Sequence, residues 1–158
     1  MSVAFRRESD DEHLEPKFEI PIPPGPNLVT ARGMALIVQR VADLEAQIHA
    51  LAEGGAEQAS IDPVKRDLRY WQTRQVTAEL VPVPSGDTVE IGTCVTFRHN
   101  GKTRELAIVG DDEADPAAGL VSFSAPLARA LMHAEVGEML AFAGREDALK
   151  VLAISVLP

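Results

Sequence analysis

The chain is predicted to be an α+β protein in two parts, a helical hairpin followed by a small β domain. Its 158 residues are 46% apolar, enough for a folded core. Apolar residues recur every three or four positions from Met34 to Leu51, and a seam of the same spacing runs from Val64 to Ala78; only a helix places such positions on one face. After Pro84 the period falls toward two, which is typical of strands separated by short turns.

The first predicted helix has an unbroken heptad stripe. Thr30 is a suitable N-cap, and Gly54-Gly55 ends the pattern. The spacings of 3, 4, 3, 4 and 3 are those of a coiled coil. The stripe consists of Met34, Ile37, Val41, Leu44, Ile48 and Leu51.

A second helix is predicted to begin at Asp62, as N-cap, with Pro63 at the first helical position. It ends before Pro82 and Pro84. Because the two heptad helices are joined by a short linker, we expect residues 30–83 to form an antiparallel coiled-coil hairpin about 30 Å long. The expected seam of the second helix is Val64, Leu68, Trp71, Gln75 and Ala78.

Residues 84–158 are predicted to form a small antiparallel β domain with one short helix. Asn100-Gly101 is a two-residue hairpin signal, and the helix is expected from Pro126 to about Met132. Cys94 lies in a strand and is expected to be buried. The predicted strands are residues 89–91, 94–97, 105–109, 120–123, 139–142 and 149–156.

Residues 1–29 are predicted to be a flexible, proline-rich arm, because they combine a charged run with five prolines between positions 16 and 26. The sequence contains no apolar run long enough for a membrane span or a secretory signal. With one cysteine, a disulfide framework and a cysteine zinc site are excluded. We therefore expect a cytoplasmic, monomeric protein.

Charge limits the classes of partner. The net charge of −9 argues against wrapping naked nucleic acid unaided. Residues 31–83 are nearly neutral, with six basic and seven acidic side chains. Residues 84–158 are acidic, with six basic and eleven acidic side chains. The hairpin is thus the better nucleic-acid candidate. Its cations Arg66, Arg69 and Arg74 either contact RNA or a protein partner, or form solvated ion pairs.

Two ordered motifs identify a family. Residues 108–115 read Ile-Val-Gly-Asp-Asp-Glu-Ala-Asp, and residues 126–131 read Pro-Leu-Ala-Arg-Ala-Leu. This pair resembles the C-terminal domain of the bacterial Gre (GreA/GreB) transcript-cleavage factors, and a coiled coil opening at Thr30-x-x-Gly33 matches their arrangement. By itself, the acidic run at 111–115 is better interpreted as a polar loop than as a calcium site.

The resemblance implies an FK506-binding-protein-like (FKBP-like) β domain that binds RNA polymerase at the rim of its secondary channel. The hairpin would then point inward, toward nascent RNA, and the three arginines of its second helix could contact either RNA or the polymerase itself. The polymerase-binding loop falls on Ser124, Ala125 and Pro126, where relatives usually have Asp or Asn, then Ser, then Pro; Arg129 follows in the short helix.

The resemblance also assigns a role to the hairpin tip, where acidic residues of the family help hold a magnesium ion shared transiently with the polymerase. The protein would then be no enzyme itself, and would at most stimulate the polymerase's own RNA cleavage. The family pattern is Gly-Asp-x-x-Glu-Asn-Ala-Glu. Here Glu57 has a counterpart, the leading Asp has none, and Ser60 replaces the last Glu. The sequence leaves cleavage open and favours a regulator without full cleavage activity.

Two other functions remain as alternatives. A prolyl isomerase of the FKBP type would need an aromatic-lined pocket, for which the β domain offers only Phe97, Phe123 and Phe142. A structural adaptor would use the coiled coil to bind another helix, and capture of a partner other than RNA polymerase would identify it.

Overall fold

The computed structural model describes residues 18–158, so most of the predicted arm lies outside the described residues. Two long helices, α1 (Ala31–Glu53) and α2 (Gln58–Thr77), form the predicted antiparallel hairpin. The 23 residues of α1 span about 35 Å at 1.5 Å per residue. Its buried side chains Ile37, Val41 and Leu44 face the hairpin interior, together with Ile61 and Val64 of α2.

The tip of the hairpin is a tight reversal between Glu53 and Gln58. The N–H of Ala56 donates to the carbonyl of Leu51, and the N–H of Gly55 donates to that of Ala52. These two bonds define a Schellman motif, which requires a left-handed residue; Gly55 supplies it with φ +71°. The motif satisfies carbonyls at the end of α1 and returns the chain along the hairpin.

Helix α2 begins five residues before the predicted start, at Gln58 instead of Pro63. Glu57 is its N-cap, Pro63 lies inside the helix, and Asp62 accepts a hydrogen bond from the Gln58 side chain at 2.6 Å. The early start puts Ile61 on the buried face, where it is 7% exposed. We attribute the difference to this burial, which offsets the backbone hydrogen bond that Pro63 cannot donate.

The seam of α2 also departs from the heptad prediction toward the base of the hairpin. Gln75 is exposed, and Arg74 is buried in its place. A straight helix drifts relative to a strict seven-residue repeat, so the inward-facing position moves by one residue. Trp71 is half-buried, beneath the Arg40 guanidinium at 5.4 Å and edge-on to Tyr70 at 5.2 Å.

A two-stranded parallel ribbon closes the base of the hairpin. It pairs β1 (Asn27–Val29), before α1, with β2 (Ala78–Leu80), after α2. β1 lies within the stretch predicted to be a flexible arm. The strand is ordered because its side chains are buried: Val29 is 2% exposed and Asn27 is 4% exposed. Both the nitrogen and the oxygen of the Asn27 side-chain amide are hydrogen-bonded.

The β domain is a five-stranded sheet of β3 (Thr93–His99), β4 (Lys102–Val109), β5 (Leu120–Ser122), β6 (Met139–Phe142) and β7 (Arg145–Val156). The order of the strands in the sheet is β5-β4-β3-β7-β6. Asn100 and Gly101, with φ of 53° and 75°, form the predicted tight hairpin turn between β3 and β4.

Two strand predictions need correction. The sheet is not wholly antiparallel, because β5 runs parallel to β4; a loop containing a short 3-10 turn, Pro116–Ala118, carries the chain back. Residues 89–91 form no strand. Val89 is fully buried and bonds to the loop that follows the short helix, while Glu90 and Thr93 close a turn.

The main core lies between the sheet and the short helix α3 (Pro126–Leu131), which begins at the predicted proline. Cys94, predicted to be buried, is only half-buried and donates to Glu105 Oε1 at 3.3 Å. Burial and this carboxylate raise the pKa of the Cys94 thiol to about 11. Within residues 18–158, no helix is long and apolar enough to cross a membrane. The fully buried apolar side chains include Phe97, Ile108, Leu131, Leu149 and Val151.

Candidate functional site

A buried arginine joins the helical hairpin to the β domain. Arg74 is 1% exposed. Its Nε donates to Asp112 Oδ2 at 2.6 Å, its Nη2 donates to Asn27 Oδ1 at 2.8 Å, and Asp111 Oδ2 lies 3.9 Å from the same nitrogen. Asn27 in turn donates to the Arg74 carbonyl at 2.8 Å. One guanidinium therefore connects α2, β1 and the acidic loop after β4.

The same acidic loop also contacts the start of α1. The Thr30 hydroxyl, which caps α1 by accepting from the Gly33 N–H at 3.0 Å, donates to Glu113 Oε1. Glu113 is 6% exposed, and its other oxygen lies 3.8 Å from Arg32 Nε. The loop thus holds the first turn of α1 as well as the last turns of α2.

Backbone packing tightens this joint. Gly110 precedes the acidic residues, and a β-carbon there would collide with the carbonyl oxygen of Leu28 in β1. Only glycine allows the two backbones to approach so closely. We call the set Asn27, Arg74, Asp111, Asp112 and Glu113 the joint cluster.

Tyr70 completes the contact from α2. Its hydroxyl donates to Asp112 Oδ1 at 2.6 Å, so both oxygens of this carboxylate are used by one helix. Burial and the neighbouring Asp112 raise the pKa of Tyr70 to about 12, because both disfavour the phenolate.

The predicted polymerase-binding loop begins beside the joint cluster. The hydroxyls of Ser122 and Ser124 both donate to Asp111 Oδ1, the latter at 3.0 Å. Ser124, Pro126 and Arg129 are exposed, and Ala125 is half-buried as the N-cap residue of α3. Asp111 therefore contacts this loop through one oxygen and faces Arg74 with the other.

The tip of the hairpin presents few carboxylates. Glu57 is exposed, and its side chain makes no capping bond. Glu53 lies 3.2 Å from His49 Nε2, and Asp62 accepts from Gln58. Among residues 18–158, no three His, Cys, Asp or Glu side chains form a group able to hold a metal ion. Because Mg²⁺ is held by carboxylates acting with other fixed oxygens, the tip alone does not fit it.

The three arginines predicted to meet RNA differ in environment. Arg74 is not available to a nucleic acid, because its guanidinium is buried in the joint cluster; the prediction failed since spacing alone did not show this burial. Arg69 is exposed but forms a bidentate pair with Glu19, at 2.7 Å for the shortest contact. Arg66 is half-buried, and its Nε has no hydrogen-bond partner among residues 18–158.

The joint cluster was missed by reasoning from the sequence, which interpreted residues 111–115 as a polar loop. A signal was present, because the seam position that should hold an apolar residue near the base of α2 is Gln75, with Arg74 beside it. A polar interruption in a coiled-coil seam often specifies a contact.

The β domain matches the family model described as the C-terminal domain of the transcription elongation factor GreA/GreB, over residues 84–156. This is the half of the chain that contains the acidic loop, the serine-containing loop and α3.

Comparison with curated proteins extends the similarity to the hairpin. The chain is 32% identical to GreA of Pseudomonas putida over 143 residues, 87% of this chain and 82% of that one. It is 30% identical to GreA 1 of Lactiplantibacillus plantarum over 150 residues, 82% of this chain and 95% of that one. Other GreA relatives match over 57 to 75 residues, 36% to 48% of their length.

A solved structure, the GreA factor homologue Gfh1 of Thermus thermophilus, is 16% identical, with a TM-score of 0.38 over 83% of this chain and 99% of that one. The class of protein follows from the sequence matches, which cover the β domain and, in two relatives, most of the chain: it is a transcription elongation factor. The chain belongs to the GreA/GreB family.

Replacing Arg74 should destabilise the joint. We expect Arg74→Met to lower the free energy of unfolding by about 3–5 kcal/mol, because it leaves the buried Asp112 carboxylate without its cation. Urea denaturation followed by circular dichroism measures this change. Arg69→Met, which breaks an exposed pair with Glu19, is the matched control and should have little effect. An equal decrease in the free energy of unfolding in the two variants would contradict a special role for Arg74.

Tyr70 provides a pH test, since it is the only tyrosine in the chain. Tyrosinate absorbance should titrate with a midpoint at about 12, against the ordinary value of 10.0. Because the pKa of Tyr70 is higher in the folded than in the unfolded protein, the stabilisation that Tyr70 contributes is fully present below pH 10. It is lost as the pH rises from there to about 12. Asp112→Asn should lower the midpoint. A wild-type midpoint near the ordinary value would show that Tyr70 is solvated.

Proposed function

We propose that the protein docks on RNA polymerase through the loop at Ser124–Pro126 and the adjoining Arg129. Docking there would direct the hairpin into the secondary channel and regulate elongation. The observation that carries the proposal is the shared carboxylate Asp111, which bonds to Ser124 and faces Arg74 at the base of α2. A partner that binds the loop therefore engages an element held in fixed relation to the hairpin.

The alternatives have less support. Phe97, one of three aromatics that could line an isomerase pocket, is fully buried in the core beneath the Arg104 guanidinium at 5.6 Å. A fold of this kind does not carry isomerase activity by itself. An adaptor role does not account for the match to elongation factors along both parts of the chain.

The tip supports regulation without full cleavage stimulation. Glu57 and Glu53 are the carboxylates beside the reversal, and the His49 side chain already contacts Glu53. Among residues 18–158, the side chains at the tip form no magnesium site of their own, so a metal ion there would need ligands from the polymerase.

Docking is tested by the affinity of the full chain for core RNA polymerase, measured by biolayer interferometry. Arg129→Ala and Pro126→Ala should each weaken binding about tenfold, the effect of an interface residue whose truncation costs about 1.4 kcal/mol. Glu135→Ala removes an exposed charge beyond the end of α3 and should bind like the wild type. Undiminished binding by both loop variants would refute the assigned surface, and no binding by the wild type would refute the function.

Cleavage is tested on arrested elongation complexes by the shortening of labelled RNA. The wild type should raise the polymerase's own rate of RNA cleavage only slightly, because the tip lacks a group of carboxylates that could hold Mg²⁺. Ala56→Asp combined with Ser60→Glu should raise the rate, and adding Glu57→Ala should reverse the gain. Strong shortening by the wild type that Glu57→Ala abolishes would contradict regulation without cleavage.

A further inference from the structure

The positive charge of the β domain is concentrated at the end far from the hairpin. Five of its six basic residues lie in two segments, 98–104 and 142–150, which surround the β3–β4 and β6–β7 turns. Only two of its eleven acidic residues, Glu146 and Asp147, fall in these segments. We call this end the distal rim. Its cations are Arg98, Lys102, Arg104, Arg145 and Lys150.

The rim cations are exposed, and no ion pair within the described part of the chain involves them. Arg98 and Lys150 are directly opposite each other on β3 and β7. Like charges in such a pair are destabilising. A protein with a net charge of −9 thus keeps one end with more cations than carboxylates, which favours an anionic ligand.

Aromatic side chains stand among these cations. His99 and Phe142 are half-buried at the ends of β3 and β6, edge to face with ring centroids 5.6 Å apart. Lys102 is the cross-strand partner of His99, and Arg145 that of Phe142. Since direct partners share a face of the sheet, each ring has a cation beside it.

A cleft separates the two turns. It has a volume of about 420 Å³, and its charged lining consists of three cations, Arg98, Arg145 and Lys150, and two carboxylates, Glu146 and Asp147. This volume is within the range of small-ligand sites, about 300–1,000 Å³. One phosphate-bearing unit could enter it while neighbouring units lie along the rim.

We infer that the distal rim binds single-stranded nucleic acid. Lys102 and Arg145 would contact phosphates beside His99 and Phe142, which stack on a base. Arg98 and Lys150, on the opposite face of the sheet, would contact a further phosphate in the cleft. Backbone-tracking cations with interleaved aromatic rings are the chemistry of sequence-independent single-strand binding. An acidic peptide would use the cations but would bring no base to stack on either ring. The site is separate from the docking loop and does not depend on the proposed function.

The test uses the full chain and a fluorescent oligouridylate of about 16 nucleotides, followed by anisotropy at several salt concentrations. We expect binding that weakens with salt, as counterion release requires. Lys102→Gln combined with Arg145→Gln should weaken it at least tenfold. Ser85→Glu combined with Ala117→Glu makes the same change of −2 in net charge at exposed positions outside the rim, and should weaken it much less.

Stacking is tested separately from charge. His99→Ala should weaken oligouridylate binding about fivefold or more, as loss of a stacked base costs about 1–3 kcal/mol, whereas His99→Phe should retain it. Circular dichroism checks that each variant is folded. Equal binding by the rim and control pairs would overturn the site. Competition by a polyglutamate peptide as effective as that by unlabelled oligouridylate would overturn the assignment to nucleic acid.

Discussion

The arrangement of the two parts depends on one buried guanidinium. Arg74 takes a position in α2 that the coiled-coil pattern would give to an apolar side chain, and it meets Asp112 and Asn27 where hairpin and β domain come together. An unpaired charge there would be costly, so hairpin and acidic loop must keep their registration. The pair is therefore better regarded as a device that specifies one arrangement than as a source of net stability.

This constraint connects the sequence motif to function. The acidic residues after β4 look like a loop that binds a ligand, yet Asp112 and Glu113 are used within the protein, on α2 and α1. Asp111 extends the network to Ser124 in the loop proposed to bind RNA polymerase. The distance from docking surface to tip is then set by α1, while the chemistry at the tip depends on Glu57 and its neighbours.

Much of the fold could be predicted because its signals are local. The heptad stripe of α1, the glycine reversal, the Asn100-Gly101 turn and the proline before α3 each depend on nearby residues. The failures involve long-range contacts: β1 is ordered by pairing with β2, and Arg74 is buried by residues 38 positions away. The docking loop was placed by resemblance alone, and the distal rim required the strand register that brings two turns together.

The central claim is that the joint cluster fixes one orientation of the hairpin on the β domain. The most direct test is a pulsed dipolar distance measurement between nitroxide labels at Ala52→Cys and Ala141→Cys, both exposed, in a Cys94→Ser background. A single narrow distance distribution is expected, broadened by Arg74→Met and by the milder Asp112→Asn in protein that remains folded. A broad distance distribution in the wild type would contradict the claim. Variant distributions as narrow as that of the wild type would contradict it as well.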